Sequence, residues 1–141
     1  MGDLPERGGC RAIAFHVPWD VLCSDNRKFL TGKFILTSAY RNSKHEIARL
    51  SASAARGCQW ERTERIVGLS VIVREPDRRK RDLNWSKNLK DGITEGNAIW
   101  DDDSQVRIEH WELERANDKA EAGASVCVWQ LSPNLAATNA G

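Results

Sequence analysis

The sequence predicts an α/β (α+β) fold: a single small domain built on a mixed β-sheet of about four main strands flanked by two helices. Three observations predict it. Short β-rich segments carry apolar residues in alternation or in continuous runs. Two longer segments carry them at helical spacing. These segments follow one another as β, hairpin, α, β, α, β, β, with no repeat, low-complexity tract or linker to divide them. The 141 residues suffice for one core of this kind. Residues 11–131 are expected to form the domain, with 1–10 a flexible N-terminus and 132–141 a flexible tail.

Each element has a local reason. Arg11–Val17 (RAIAFHV) alternates enough to be a first strand, and Pro18 ends it. Lys28–Leu36 (KFLTGKFIL) reads as a hairpin turning at Thr31-Gly32-Lys33. Thr37 or Ser38 caps a helix running to about Arg56. In it Ile47, Leu50 and Ala54 share a face, Arg41, Lys44 and Arg49 fall elsewhere, and Gly57 is the expected stop. Ile66–Val73 (IVGLSVIV) is nearly continuously apolar, the mark of an interior strand. Pro76 and a basic run form a loop, and a short helix follows, roughly Asn84 to Thr94, closed by Gly96-Asn97. Val106–Leu113 (VRIEHWEL) alternates Val106, Ile108 and His110 against Arg107, Glu109 and Trp111. Ala116–Gly123 is a polar turn, and Ala124–Leu131 (ASVCVWQL) is the last strand, expected to pair with the previous one as a hairpin.

Composition excludes several classes. Hydrophobic residues are 40% and charged residues 29%, values of a globular chain and not of a disordered one. No apolar run approaches the length of a bilayer span, so no membrane partner is expected. The start, MGDLPERGGCRAI, has acids where a secretory signal has a basic region, which makes cytoplasmic location the expectation. Cys10, Cys23, Cys58 and Cys127 are widely spaced, with no C-x-x-C pair, and read as free thiols rather than a zinc site or disulfide framework. The net charge of +1 hides an uneven distribution. Arg74, Arg78, Arg79, Lys80, Arg81, Lys87 and Lys90 precede Asp101-Asp102-Asp103 and the acid-rich stretch Glu109–Glu121. A basic loop ahead of an acidic cluster suits a protein that holds polyanionic backbone while binding cations.

The informative stretch is Arg78–Val106, RRKRDLNWSKNLKDGITEGNAIWDDDSQV. On its helix Asn84, Lys87, Asn88 and Asp91 fall at i, i+3, i+4 and i+7 and share one polar face. Trp85, Leu89 and Ile93 recur at i, i+4 and i+8 and are expected to bury against the sheet. Asp82 stands at the helix entrance, and the aspartate triple sits just before a strand, where a short loop returns it to that entrance. Hard divalent cations need oxygen ligands, and Mg²⁺ takes one or two carboxylates with water and substrate phosphate. A metal-bound water attacks phosphorus, and a nearby lysine adds a point charge for the phosphoryl oxygens. The same DDD pattern is also what a solvated, self-capping turn looks like.

Asp82-Leu83-Asn84, Lys87, Asp91-Gly92-Ile93 and Trp100-Asp101-Asp102-Asp103-Ser104-Gln105-Val106 together resemble the RusA family of Holliday junction resolvases. The family hallmark is an Asp-x-Asp-Asn entrance, a lysine one turn on, a helix carrying Asp-Ala-Leu or Asp-Gly-Leu, and an Asp-Asp-Ser-Gln ending. The interior strand followed by Pro76-Asp77 and the arginine run matches the family layout, and Asn26, Leu36-Thr37 and Tyr40-Arg41 match it more loosely. The resemblance covers most of residues 11–131, with motif support over 76–106. It implies a Mg²⁺-dependent (or Mn²⁺-dependent), structure-selective endodeoxyribonuclease, a homodimer that nicks two opposed strands of a four-way DNA junction in recombination and repair. Carried over by position, Asp82, Lys87 and Asp103 are catalytic, and Asp82, Asn84, Asp102 and Asp103 hold the metal.

The chain departs from the pattern at the entrance, where one aspartate stands for two. In a register fixed on Asn84 and Lys87 a residue is lost between the expected carboxylates and Asp91 falls on the helix aspartate. Without gaps, Asn84 takes the second aspartate and Asn88 takes the lysine. The first register keeps three polar identities and the amphipathic helix, and is preferred. The departure opens the alternative of a catalytically impaired or inactive RusA-like protein that binds junctions. Arg78, Arg79, Lys80, Arg81, Lys28, Lys33 and Lys44 are the expected DNA contacts. Phe29 and Phe34 are suited to stacking on unpaired bases near a junction, with core or dimer packing the preferred reading, and His16, His45 and His110 are read as non-catalytic.

Overall fold

The computed structural model of the chain describes residues 11–24, 37–77 and 84–131. The expected hairpin at Lys28–Leu36, the basic run Arg78–Arg81 with Asp82, the segment 1–10 and the tail 132–141 lie outside the described residues. The elements run as β1 (Ala12–Pro18), a 3-10 turn (Trp19–Val21), α1 (Ser38–Cys58), β2 (Val67–Glu75), α2 (Ser86–Gly96), a second 3-10 turn (Asp103–Gln105), β3 (Val106–Arg115) and β4 (Gly123–Gln130). The four strands form one mixed sheet in the order β1-β4-β2-β3. Among the described residues no helix is long and apolar enough to cross a membrane.

Alternation decides what each strand buries. Ile13 and Val17 of β1, Val67, Leu69, Val71 and Val73 of β2, and Ala124, Val126 and Val128 of β4 form one buried face. Ile47 and Ala55 of α1 and Leu89 and Ile93 of α2 join them in a single core, with Trp60, Trp85 and Trp100. Ser70, Ile72, Ser125 and Cys127 point to the opposite face and stay partly exposed. The architecture is thus two layers, helices on one side of a sheet.

The expected hairpin between the last two strands does not form. β3 pairs parallel with β2 (Val71↔Trp111), and β4 lies on the other side of β2, antiparallel to it (Val71↔Val126) and to β1 (Phe15↔Val126). The reason is burial. β4 carries a fully apolar inward row and needs neighbours on both edges, whereas β3 is exposed almost throughout, with Ile108 at 43% and Leu113 at 53%. A charged strand (Arg107, Glu109, Glu112, Glu114, Arg115) is suited to a sheet edge. The connection through α2 delivers it parallel to β2, as a crossover must.

Two of the four helix ends differ from expectation, the end of α1 and the start of α2. Thr37 caps α1, its hydroxyl accepting from the Tyr40 N–H at 3.1 Å. The helix then runs past Gly57 to Cys58 and stops at Gln59, which adopts φ 61°. Trp60 imposes that exit: it is buried, its N–H bonds Ala55 O at 2.9 Å and its indole Nε1 donates to Ile99 O at 2.9 Å. α2 starts at Ser86, two residues later than expected, because Trp85 turns inward and packs edge-on against Trp19 (centroids 5.6 Å, 72°). Asn97 closes it at φ 51°, with its N–H on Thr94 O.

α1 and α2 approach closely because α2 presents glycine toward α1. A Cβ on Gly92 would lie 2.6 Å from Ile47 Cβ, and one on Gly96 would lie 2.8 Å from Ala48 O. The face expected to be uniformly polar is therefore divided. Lys87 is exposed, but Asn88 is fully buried against α1, exchanging hydrogen bonds with Ser43 Oγ and accepting from Cys23 N at 3.1 Å. No buried side-chain N or O atom among the described residues lacks a partner.

Candidate functional site

The first turn of α2 brings Lys87 to the surface beside the loop that precedes β3. Its Nζ lies 3.4 Å from Asp91 Oδ1, one turn along the helix, and 3.4 Å from Asp103 Oδ2. The Lys87 side chain is 52% exposed and that of Asp103 28%. The negative charge of Asp91 first, and that of Asp103 after it, raise the ammonium above its ordinary value, against the opposing effect of partial burial. Asp91 is held from behind: the hydroxyl of the fully buried Tyr40 donates to its Oδ2 at 2.7 Å.

The three consecutive aspartates have three different tasks. Asp101 pairs with Arg62. Asp102 caps the 3-10 turn, its Oδ2 accepting from Ser104 N at 3.1 Å, and hydrogen bonds from Ser104 hold its carboxyl below the usual range. Asp103 turns to Lys87. Gln105 fastens this loop in place. Its Oε1 accepts from Asp101 N at 2.7 Å and Asp102 N at 2.8 Å, and its Nε2 donates to Thr63 O and Arg65 O, each at 2.8 Å. Below the loop Trp100 is fully buried, with its indole Nε1 donating to Thr94 Oγ1 at 2.7 Å.

Of the residues expected to act, the structure brings Lys87 and Asp103 together and sets Asp102 next to them as a cap. Asp82 lies outside the described residues, as do Arg78, Arg79, Lys80, Arg81, Lys28 and Lys33. Asn84 precedes α2 and lines a cleft of about 370 Å³ between the start of α2 and β3, with Trp85, Ser86, Glu109, Trp111 and Leu113. In that cleft Glu109 accepts from Ser86 Oγ at 2.8 Å, Lys90 Nζ at 3.0 Å and Trp111 Nε1 at 2.7 Å. Burial pushes its carboxyl up, yet these donors more than offset that and leave it lowered. Lys44, an expected DNA contact, lies 3.5 Å from Glu95 of α2, beside His45 on the same carboxylate.

Asp91, Tyr40 and Gln105 were not among the expected site residues. The i, i+4 spacing of Lys87 and Asp91 was a readable signal for the first. Tyr40 lies 51 residues from Asp91, and no local pattern pairs them. Among the described residues no group of three or more His, Cys, Asp or Glu side chains is arranged to hold a metal ion. Asp91 and Asp103 are hard-oxygen donors of the kind Mg²⁺ takes, and both are turned to the Lys87 ammonium at 3.4 Å. No protein-family model and no curated protein matches the chain.

Proposed function

We propose that the chain is a Mg²⁺-dependent, structure-selective endodeoxyribonuclease that resolves four-way DNA junctions by paired nicks. One observation carries the reading: an exposed lysine between two carboxylates, on a loop and helix terminus braced by dedicated hydrogen bonds. Asp103, with Asp82 and the neighbouring Asp102 and Asn84, would hold the ion, for which Mn²⁺ is an acceptable substitute. When bound, the metal supplies charge neutralisation at the scissile phosphate and an activated water. Lys87 contributes a positive charge for the phosphoryl oxygens, and Asp91 and Asp103 keep it protonated and aimed. The position of Asn88 supports the register chosen from the sequence, because a buried residue bonded to Ser43 cannot replace the lysine. A homodimer would supply two sites for two opposed cuts.

The test is cleavage of a synthetic four-way junction against linear duplex, with Mg²⁺ or Mn²⁺. The wild-type chain should nick the junction far faster, and Asp103→Asn should abolish nicking while junction binding survives. Tight junction binding without cleavage in either metal would refute the reading.

A second reading is favoured by a specific observation. Asp101 and Asp102 are already engaged by Arg62 and by the turn, so neither stands in freely for the second entrance aspartate. On that reading the chain is an inactive junction-binding relative, whose binding falls with salt and is unchanged by divalent metal.

A further inference from the structure

Four side chains form a line from the core to the surface: Tyr40, Asp91, Lys87 and Asp103. Tyr40 is fully buried in the first turn of α1, and its N–H is fastened to the Thr37 cap. A buried phenol needs a partner for its hydroxyl. It finds Asp91 Oδ2 at 2.7 Å, while the other oxygen of that carboxylate, Oδ1, faces Lys87 at 3.4 Å. The close α1–α2 contact at Gly92, the next residue in the chain, holds the two helices at the separation this bond requires. The interaction is charge-assisted, of the kind that fixes a carboxylate's rotation as well as its place.

We propose that Tyr40 is a positioning residue of this site, holding the Asp91 carboxylate so that its second oxygen aims the Lys87 ammonium toward Asp103. The inference rests on the nuclease reading for its activity measurement alone. Its geometric premise, the Tyr40–Asp91 hydrogen bond, holds whatever the site acts on. Without the hydroxyl, the carboxylate is released to rotate and its contact with Lys87 loosens.

The experiment uses the full chain and Tyr40→Phe, which keeps the ring and deletes only the hydroxyl. Junction nicking should fall about tenfold in kcat with KM unchanged, as misplacement of a positioned group does. In an Asp91→Asn background the same substitution should change kcat by less than about twofold, because the two residues act as one unit. An unchanged kcat in folded Tyr40→Phe, or effects that add independently of Asp91, would overturn the proposal. If Tyr40→Phe does not fold, the wild-type chain still decides, because Tyr40 is its single tyrosine. The tyrosine Raman doublet then reads this phenol directly. It should report a strong donor in the wild type and a weaker one in Asp91→Asn, and an identical doublet in both would overturn the proposal. A wild-type chain that cuts no branched DNA overturns the nuclease reading and leaves the Raman comparison of wild type with Asp91→Asn to judge Tyr40.

Discussion

Alanine at Gly92 and alanine at Gly57 make the same chemical change in two helices, and the structure predicts opposite signs. Gly57 lies near the end of α1 with nothing within 4 Å of where its Cβ would be. There alanine gains helix propensity and loses unfolded-state freedom, so stability should rise by a few tenths to about 1 kcal/mol. At Gly92 the added carbon would lie 2.6 Å from both Ile47 Cβ and Ile47 Cγ2 and 3.3 Å from Lys44 O. Carbon atoms prefer a separation of about 3.5–4.0 Å, so the helices must part by roughly 1 Å, because Ile47 Cβ is fixed to its backbone and no change of rotamer moves it. Overpacking of this kind costs about 1–3 kcal/mol, and a propensity gain of about 1 kcal/mol offsets part of it. A net loss of up to about 2 kcal/mol is the expected result. Parting the helices also stretches the Tyr40–Asp91 hydrogen bond, so the tyrosine Raman doublet should report a weaker donor in the same variant. Urea unfolding followed by fluorescence is the assay, since Trp60, Trp85 and Trp100 are all buried. If Gly92→Ala unfolds at the same or a higher urea concentration than wild type, the close approach of α1 and α2 is not a constraint and the reasoning fails.

Further outcomes follow from the site and its surroundings. Gln105→Ala removes four hydrogen bonds that tie the aspartate loop to Thr63 and Arg65. Because the freed groups reach water, a modest loss of about 1–2 kcal/mol is expected in urea unfolding, and an unchanged midpoint would show that the loop is held by other means. Glu109 has a carboxyl lowered in the folded chain, so its contribution is present above its unfolded value of 4.5 and is lost as pH falls through the lower folded value. Glu109→Gln should flatten the acid side of the stability profile below about pH 4.5, and a superimposable profile would refute the assignment. Lys87 has the opposite sign: its raised ammonium stabilises below the ordinary lysine value of 10.5, and that contribution fades as pH rises through the folded value. Lys87→Met should therefore unfold with less alkaline pH dependence than wild type, by an amount kept small by solvent exposure.

Local physics was legible in the residues. The alternation in β1 and β4, the apolar run of β2, and the Trp85, Leu89 and Ile93 stripe of α2 depend only on the period of each element, and each is buried as its pattern requires. The α2 stop at Gly96-Asn97 and the α1 cap at Thr37 are likewise short-range chemistry. Helix ends that tertiary contacts decide were not legible, as Gln59 shows: Trp60 docks on Ile99 and draws the chain into a left-handed turn two residues beyond the glycine that suggested one.

By itself, then, the sequence determined the class of fold, the strands and helices among the described residues, and the meeting of Lys87 with the aspartate loop. Only the tertiary structure decided the strand order, because pairing joins segments whose separation along the chain carries no pattern. It put β4 between β1 and β2 and sent β3 to the edge. It also divided the three aspartates among Arg62, the turn and Lys87, buried Asn88, and set Tyr40 behind Asp91. Identical residue types in a row acquire different work when the surrounding surfaces differ, and those surfaces come from parts of the chain far away in sequence.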